Sequence, residues 1–203
     1  MNMLEFQFRT TGDQALLAVL KGIYHKIPDA VKKATAKSAM NLSTMIVKGV
    51  RSQAPGGKRF KALAESTKKM KKSSKALIHH GDLVRSIRAE EVHIESGNSA
   101  WFVGVNRTAK DRDGKTLWNL AEIHEFGTEH FIIPISAKMR GWWKWQVKRG
   151  VFRAPLNPKA QNLLHPGVPA RPFLTPSYDV WKQQAEENWV KFVQEAILPK
   201  VKK

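Results

Sequence analysis

Cysteine is absent from the 203 residues. Disulfides and thiolate metal sites are therefore excluded, and the chain suits assembly in a reducing cytoplasm. Long apolar runs are missing too: none approaches the ~20 residues that span a bilayer, so no membrane partner is expected. The opening MNMLEFQFRT lacks a basic region followed by an apolar one, and no signal peptide is read there. No phosphate-binding Gly-rich loop, Gly-x-Ser-x-Gly elbow or dinucleotide fingerprint occurs, so no enzyme and no cofactor is expected. Acidic residues are scarce, seventeen against thirty-five Lys and Arg, which leaves a net charge of +18. Such a balance by itself favours polyanions in general: nucleic acid, an acidic protein surface or a membrane surface.

What is present is globular. Hydrophobic residues make up 42%, enough for one domain with a real core. The positive charge is concentrated. Residues 48–75 hold ten Lys or Arg against Glu65 alone, half of the net total, and residues 138–153 hold six more with no acid.

Periodicity gives the elements. LEFQFR, 4–9, alternates apolar and polar residues as a half-buried strand does. Asp13 reads as an N-cap, and Leu16, Leu17, Leu20, Ile23 and Tyr24 follow at helical spacing. Pro28 is expected to break or restart the helix. From Asp29, Val31, Thr35, Ala39, Leu42, Ile46 and Val50 share a face until APGG, 54–57, stops it. The basic stretch 54–80 reads as an exposed, mobile loop or a marginal helix. Residues 81–107 read as a hairpin, in which Val92 and Ile94, the turn SGNS, then Trp101, Val103 and Val105 alternate. LWNLAEIHEFG, 117–127, fits a short helix or a strand. FIIPIS fits an edge strand or extended loop. Residues 136–176 read as an irregular insert and a proline-rich arm. Tyr178, Trp181, Ala185, Trp189, Phe192 and Ala196 then mark an amphipathic helix ended by Pro199. The expected fold is a single α+β domain over 1–203. It has a small, mainly antiparallel sheet, a long N-terminal helical segment, a C-terminal amphipathic helix and extended loops.

Candidate chemistry is thin. His124 and His130 in HEFGTEH stand six apart, not the four that place two histidines on one metal, so no metal is expected. His79 and His80 are adjacent and would point to opposite faces of a strand. Lys58, Arg59, Lys61, Lys68, Lys69, Lys71, Lys72 and Lys75 fit either a solvated loop or sequence-independent contact with phosphates or an acidic partner. WWKW, 142–145, suits base stacking or, better, packing or an interface.

Three pieces occur in a telling order. APGG and the basic segment lead into Gly81-x-Leu83-x-x-Ser86-Ile87. LAEIHEFGT, 120–128, carries Glu122, His124, Glu125, Phe126 and Gly127. PARPFLTPSYD, 169–179, carries Pro169, Arg171, Pro172, Phe173 and Leu174 and precedes a helix. Together they resemble the tail-completion, or virion-morphogenesis, proteins of tailed bacteriophages, which join head to tail at the neck. The resemblance implies a structural virion protein, assembled in the host cytoplasm as a homo-oligomeric ring of six or twelve copies around the DNA channel. Its implied partners are the connector or head-closure proteins and the tail terminator or tail tube. Weak, non-specific contact with double-stranded DNA fits the charge. On this reading PARPFLTP is a stiff arm, preshaped by its prolines and anchored by Phe173 and Leu174 on its own sheet or on a neighbour. Arg171 is expected to pair with Glu122 or Glu125. Deleting 165–176 is expected to abolish assembly yet leave a folded monomer. The alternative is a free-standing, non-specific nucleic-acid-binding protein that uses the 48–75 segment.

Overall fold

A computed structural model of the chain describes residues 13–93 and 99–198, and the 4–9 strand expectation lies outside them. The first element is α1, Asp13–Ser52, a single helix of 40 residues that runs through Pro28. At 1.5 Å per residue it is about 60 Å long. The expected break at Pro28 is thus overturned. Proline removes one N–H and leaves one carbonyl without its helical partner, but residues around it are exposed and water can take that carbonyl.

A single turn, Pro55–Gly57, follows, then α2, Glu65–Lys71, and α3, Asp82–Ser86. The basic stretch is therefore not a plain exposed loop: Ala76 and Leu77 are buried in the core, with Phe60, Leu63 and Ile78 packed against it. The Gln53 side chain fixes it further, donating to the Ala76 carbonyl at 3.1 Å and accepting from the Ala76 N–H.

β1, Ile87–Val92, and β2, Ala100–Val105, form the expected antiparallel hairpin, in register Ile87↔Val105 to Val92↔Ala100. The Ile87–Val105 end is buried in the core, which pins the register, because a slip of one residue would turn these side chains outward. Ile94 and most of SGNS lie outside the described residues.

LWNLAEIHEFG resolves as a helix, α4, Leu117–Phe126, ended by Gly127. β3, Phe131–Pro134, pairs with β4, Asn162–His165, in a second two-stranded antiparallel sheet separate from the first. Between them lies α5, Ala137–Lys148, so the segment read as irregular is largely ordered. Ser136 caps it, accepting from the Met139 N–H at 3.2 Å, and Trp143 stacks on Phe152 at 4.1 Å. The last element is α6, Thr175–Ile197, with Pro176 in its first turn where no helical N–H is needed.

The fold is α+β, as expected, with the sheet divided in two. α6 runs antiparallel to the C-terminal half of α1. Pro176 lies against Gly56, Trp189 Nε1 donates to Thr35 Oγ1 at 3.2 Å, and Lys37 bonds Glu195 at 2.8 Å. Leu42, Ile46 and Val50 of α1 meet Leu83, Val84, Ile87, Val105, Leu117 and Phe173 in one core. No described helix is long and apolar enough to cross a membrane.

Candidate functional site

The three motifs converge on α4. Gly81 takes a left-handed conformation (φ 83°) that starts α3, so Leu83 and Ile87 enter the core and the Ser86 hydroxyl donates to the Leu83 carbonyl. The proline segment runs along the C-terminal end of α4. The Arg171 N–H donates to the His124 carbonyl at 2.7 Å, the Thr128 N–H to the Val168 carbonyl at 2.9 Å, and the Val168 N–H to Thr128 Oγ1 at 2.9 Å. Gly127 makes this approach possible. Its φ of 78° and ψ of −175° suit glycine, and a Cβ there would lie 2.8 Å from the Val168 oxygen.

Glu125 closes the junction. Its carboxylate is buried and accepts the backbone N–H groups of Phe173 at 2.8 Å, Leu174 at 3.0 Å and Thr175 at 2.8 Å. These donors lie at the N-terminus of α6, where no helical carbonyl can take them and the helix dipole favours negative charge. The carboxylate thus does for α6 what an N-cap side chain does, from 50 residues away. Phe173 is 0% exposed, fully inside the core, and Ser177 Oγ donates to its carbonyl at 2.8 Å. Burying such a side chain stabilises by about 1.5–3 kcal/mol.

The expected Arg171–carboxylate pair is not what forms. Arg171 is buried, and its guanidinium donates to the carbonyls of Lys61 at 3.1 Å, Ala62 at 3.2 Å and Pro169 at 3.4 Å. Burial lowers its pKa. Glu125 contacts the segment as anticipated, but through backbone donors, and Glu122 is exposed. Arg171 instead ties the basic stretch to the proline segment. His124 sits beside it, with Nδ1 buried and unpartnered. Burial, then the charges of Arg171 and Lys71, push its pKa down to about 4.

The proline segment is therefore a lock on its own core. Deleting 165–176 would remove Phe173 and leave the Glu125 carboxylate buried without its donors, so loss of the fold, not a folded monomer, is the outcome these contacts favour. Pro169 and Pro172 remain exposed, Leu174 packs against the core, and Phe126 is 75% exposed at the rim. No cluster that could hold a metal ion occurs among the described residues. His79 and His80 do not diverge; they lie outside any strand with ring centroids 3.8 Å apart.

Of the cations, Lys58, Arg59, Lys61, Lys72 and Lys75 are exposed. Lys68 bridges Glu65 at 2.7 Å, and Lys71 donates to the Lys75 carbonyl at 2.8 Å. Burial lowers the pKa of Lys71, with the Arg171 charge adding to it. Lys69 donates to the Gly150 carbonyl at 2.8 Å, just past α5. The two basic stretches that the sequence separates by some 60 residues thus adjoin. WWKW is divided: Trp143 stacks on Phe152, Arg149 lies 4.3 Å over Trp145, and Trp142 and Trp145 remain about half exposed.

The surface that periodicity missed is on α1. Leu16, Leu17, Val19, Leu20, Tyr24 and Ile27 are each 40–72% exposed. Their spacing reads as a core-facing helix, yet burial begins only at Ala30.

Compared with protein-family models, curated proteins and solved structures, the chain matches none. The resemblance to tail-completion proteins rests on the three motifs alone.

Proposed function

We propose that this chain is a structural virion protein of the phage neck, not an enzyme. It completes the tail and joins it to the head connector as an oligomeric ring around the DNA channel. Its neighbours are then the connector or head-closure protein and the tail terminator or tube. The observation that carries the assembly part is the exposed apolar face of α1, since a contiguous patch of that kind marks an interaction surface. The motif trio supplies the neck assignment. Light scattering of the purified chain at low and high salt, with and without duplex DNA, tests it. A salt-resistant oligomer, or a monomer indifferent to DNA that assembles only on its partners, is expected. A monomer that forms only a salt-labile DNA complex would refute it.

The second reading is a non-specific nucleic-acid-binding protein, favoured by the Lys69–Gly150 contact that joins residues 58–75 to the basic α5. A joined cationic face lowers the cost of approach to phosphate and releases counterions in proportion to the contacts made. The quadruple variant Lys68→Gln, Lys69→Gln, Lys71→Gln, Lys72→Gln separates the readings. It leaves assembly intact under the first and abolishes the main activity under the second.

A further inference from the structure

We propose that the outward face of α5 is a site for single-stranded nucleic acid, whose bases stack on Trp142 and Trp145 while its phosphates lie along the flanking cations. The proposal rests on the second reading above and narrows its ligand from nucleic acid in general to unpaired strands.

α5 divides its side chains between two tasks. One face serves the fold. Trp143 stacks on Phe152 and donates to the Ala154 carbonyl at 3.0 Å, Arg140 donates to the Asn157 carbonyl at 3.0 Å, and Gln146 is buried. Met139 and Val147 are half-buried on this side. On the other face Lys138, Trp142, Trp145 and Arg149 recur at spacings of four, three and four, and all four are exposed. Trp142 is 43% exposed and Trp145 51%, so the core does not use these two rings. Lys144 and Lys148 line one edge of the same face and are exposed too. Gly141 lies between the lysines and the tryptophans, and no atom of the described chain stands within 4 Å of the place a Cβ would take there.

The rings are open to a stacking partner. Trp142 meets Trp143 and Phe152 at interplanar angles of 75° and 69°, so neither ring stacks on it. Arg149 lies 4.3 Å over one face of Trp145 and leaves the other. The two tryptophans are three residues apart, about 4.5 Å along the axis, so both serve one short stretch of strand.

Charge and shape select the ligand together. Residues 138–153 contain no acid. Lys69 donates to the Gly150 carbonyl at 2.8 Å and brings the 58–75 stretch alongside, where Glu65 already bridges Lys68. A cationic surface with flat aromatic faces set into it fits a polyanion that carries flat faces of its own, and an unpaired strand is one. A duplex keeps its base faces inside its own stack and offers charge alone. A lipid surface requires aliphatic side chains that enter the acyl region, and α5 turns Met139 and Val147 inward. An acidic protein surface satisfies the cations but leaves the indoles unstacked.

Fluorescence anisotropy of a labelled thymidine strand of about 12 nucleotides tests this, beside an abasic strand of the same length and the matching duplex. The abasic strand keeps the phosphates and has no base to stack. At about 0.2 M salt the thymidine strand is expected to bind at least about tenfold more tightly than either. Charge alone favours the duplex, which carries a phosphate every ~1.7 Å. Trp142→Leu with Trp145→Leu removes the rings, keeps apolar bulk against Trp143 and Phe152, and leaves the charge unchanged. It is expected to bind the thymidine strand at least about tenfold more weakly, with an unchanged dependence of affinity on salt, while phenylalanine at both positions restores part of the loss. Circular dichroism establishes that the pair folds. If it does not, Trp145→Leu alone replaces it, with an expected loss of at least about fivefold. Equal affinity of the wild type for the thymidine and abasic strands overturns the proposal. So does a tryptophan variant that binds like the wild type, a duplex that binds as tightly as the single strand, or tighter binding to vesicles of anionic phospholipid. The quadruple lysine variant separates the two failures: if it loses binding that the tryptophan variant keeps, the chain holds nucleic acid by charge and only the stacking site is refuted. A wild type that binds no strand up to about 1 mM refutes the site and the second reading together.

Discussion

Replacing Glu125 by glutamine isolates the charge that holds the proline segment to the helix it introduces. The side chain is 7% exposed, and its two oxygens accept three backbone N–H groups at 2.8–3.0 Å. Hydrogen bonds to a charged group are each worth about 1.5–3 kcal/mol, against roughly 1 for a neutral pair. In Glu125→Gln, one carbonyl oxygen can still accept from Phe173 and Leu174. The new amide faces the Thr175 N–H, donor against donor. One bond is lost, two lose their charge, and the favourable field at the start of α6 disappears. The expected cost is about 2–3 kcal/mol. For Glu125→Ala, with all three donors stranded, it is about 4–5 kcal/mol. At roughly 2–4 °C per kcal/mol for a chain this long, the glutamine variant melts about 5–10 °C below the wild type. Thermal melts by circular dichroism, with urea midpoints at matched slope, measure both. Glu122→Gln, one helical turn away and exposed, is the control and should stay within about 0.5 kcal/mol. If Glu125→Gln melts with that control, the carboxylate is not what joins α4 to α6.

His124 gives a pH dependence of defined sign. Its folded pKa of about 4 lies below the ordinary 6.5, so between those values the unfolded chain binds the extra proton and stability falls as pH drops from 6.5 towards 4. Urea titrations should show a loss on the order of 2–3 kcal/mol across that window, absent in His124→Leu; parallel curves for the two proteins would refute it. Gly127→Ala should cost about 2–4 kcal/mol, because its Cβ would meet the Val168 oxygen at 2.8 Å as well as carry backbone strain. Gly57→Ala, at a similar φ of 80° with open space around it, isolates the strain at about 1 kcal/mol. Equal costs in urea denaturation would mean that the close approach of the proline segment is unimportant.

Periodicity made some parts of the fold legible. Trp101, Val103 and Val105 alternate and form β2; the aromatic stripe from Tyr178 to Phe192 forms α6. Rules about single residues failed where solvent intervened. Pro28 should end a helix, but an exposed carbonyl without its helical donor is cheap in water, and α1 continues. α5 was hidden by its tryptophans, although Ser136 before it and Gly150 after it are ordinary start and stop signals. The Glu125 clamp was only half legible. The stiff PARPFLTP segment signalled a fixed attachment, and charge alone suggested that Arg171 would answer a carboxylate. Which donors the carboxylate takes depends on where α6 begins, and that is set by packing of Phe173 in a core drawn from distant parts of the chain.

Because the proline segment is locked inside the protein's own core, the proposed assembly would have to use other surfaces. A segment whose Phe173 is fully buried and whose backbone is tied to Glu125 and His124 cannot leave to reach a neighbour without opening the core. Its prolines serve to keep an internal connection short of entropy before α6. The exposed half of α1 has the opposite character. Its apolar side chains from Leu16 to Ile27 are already at the surface, so covering them would open no part of the described core. Assembly driven from α1 would therefore be separable from folding, whereas assembly driven from the proline segment would not. Substitutions at Leu17 and Leu20 should change mass without changing melting temperature, while those at Glu125 and Phe173 should change melting temperature first and mass only as a consequence.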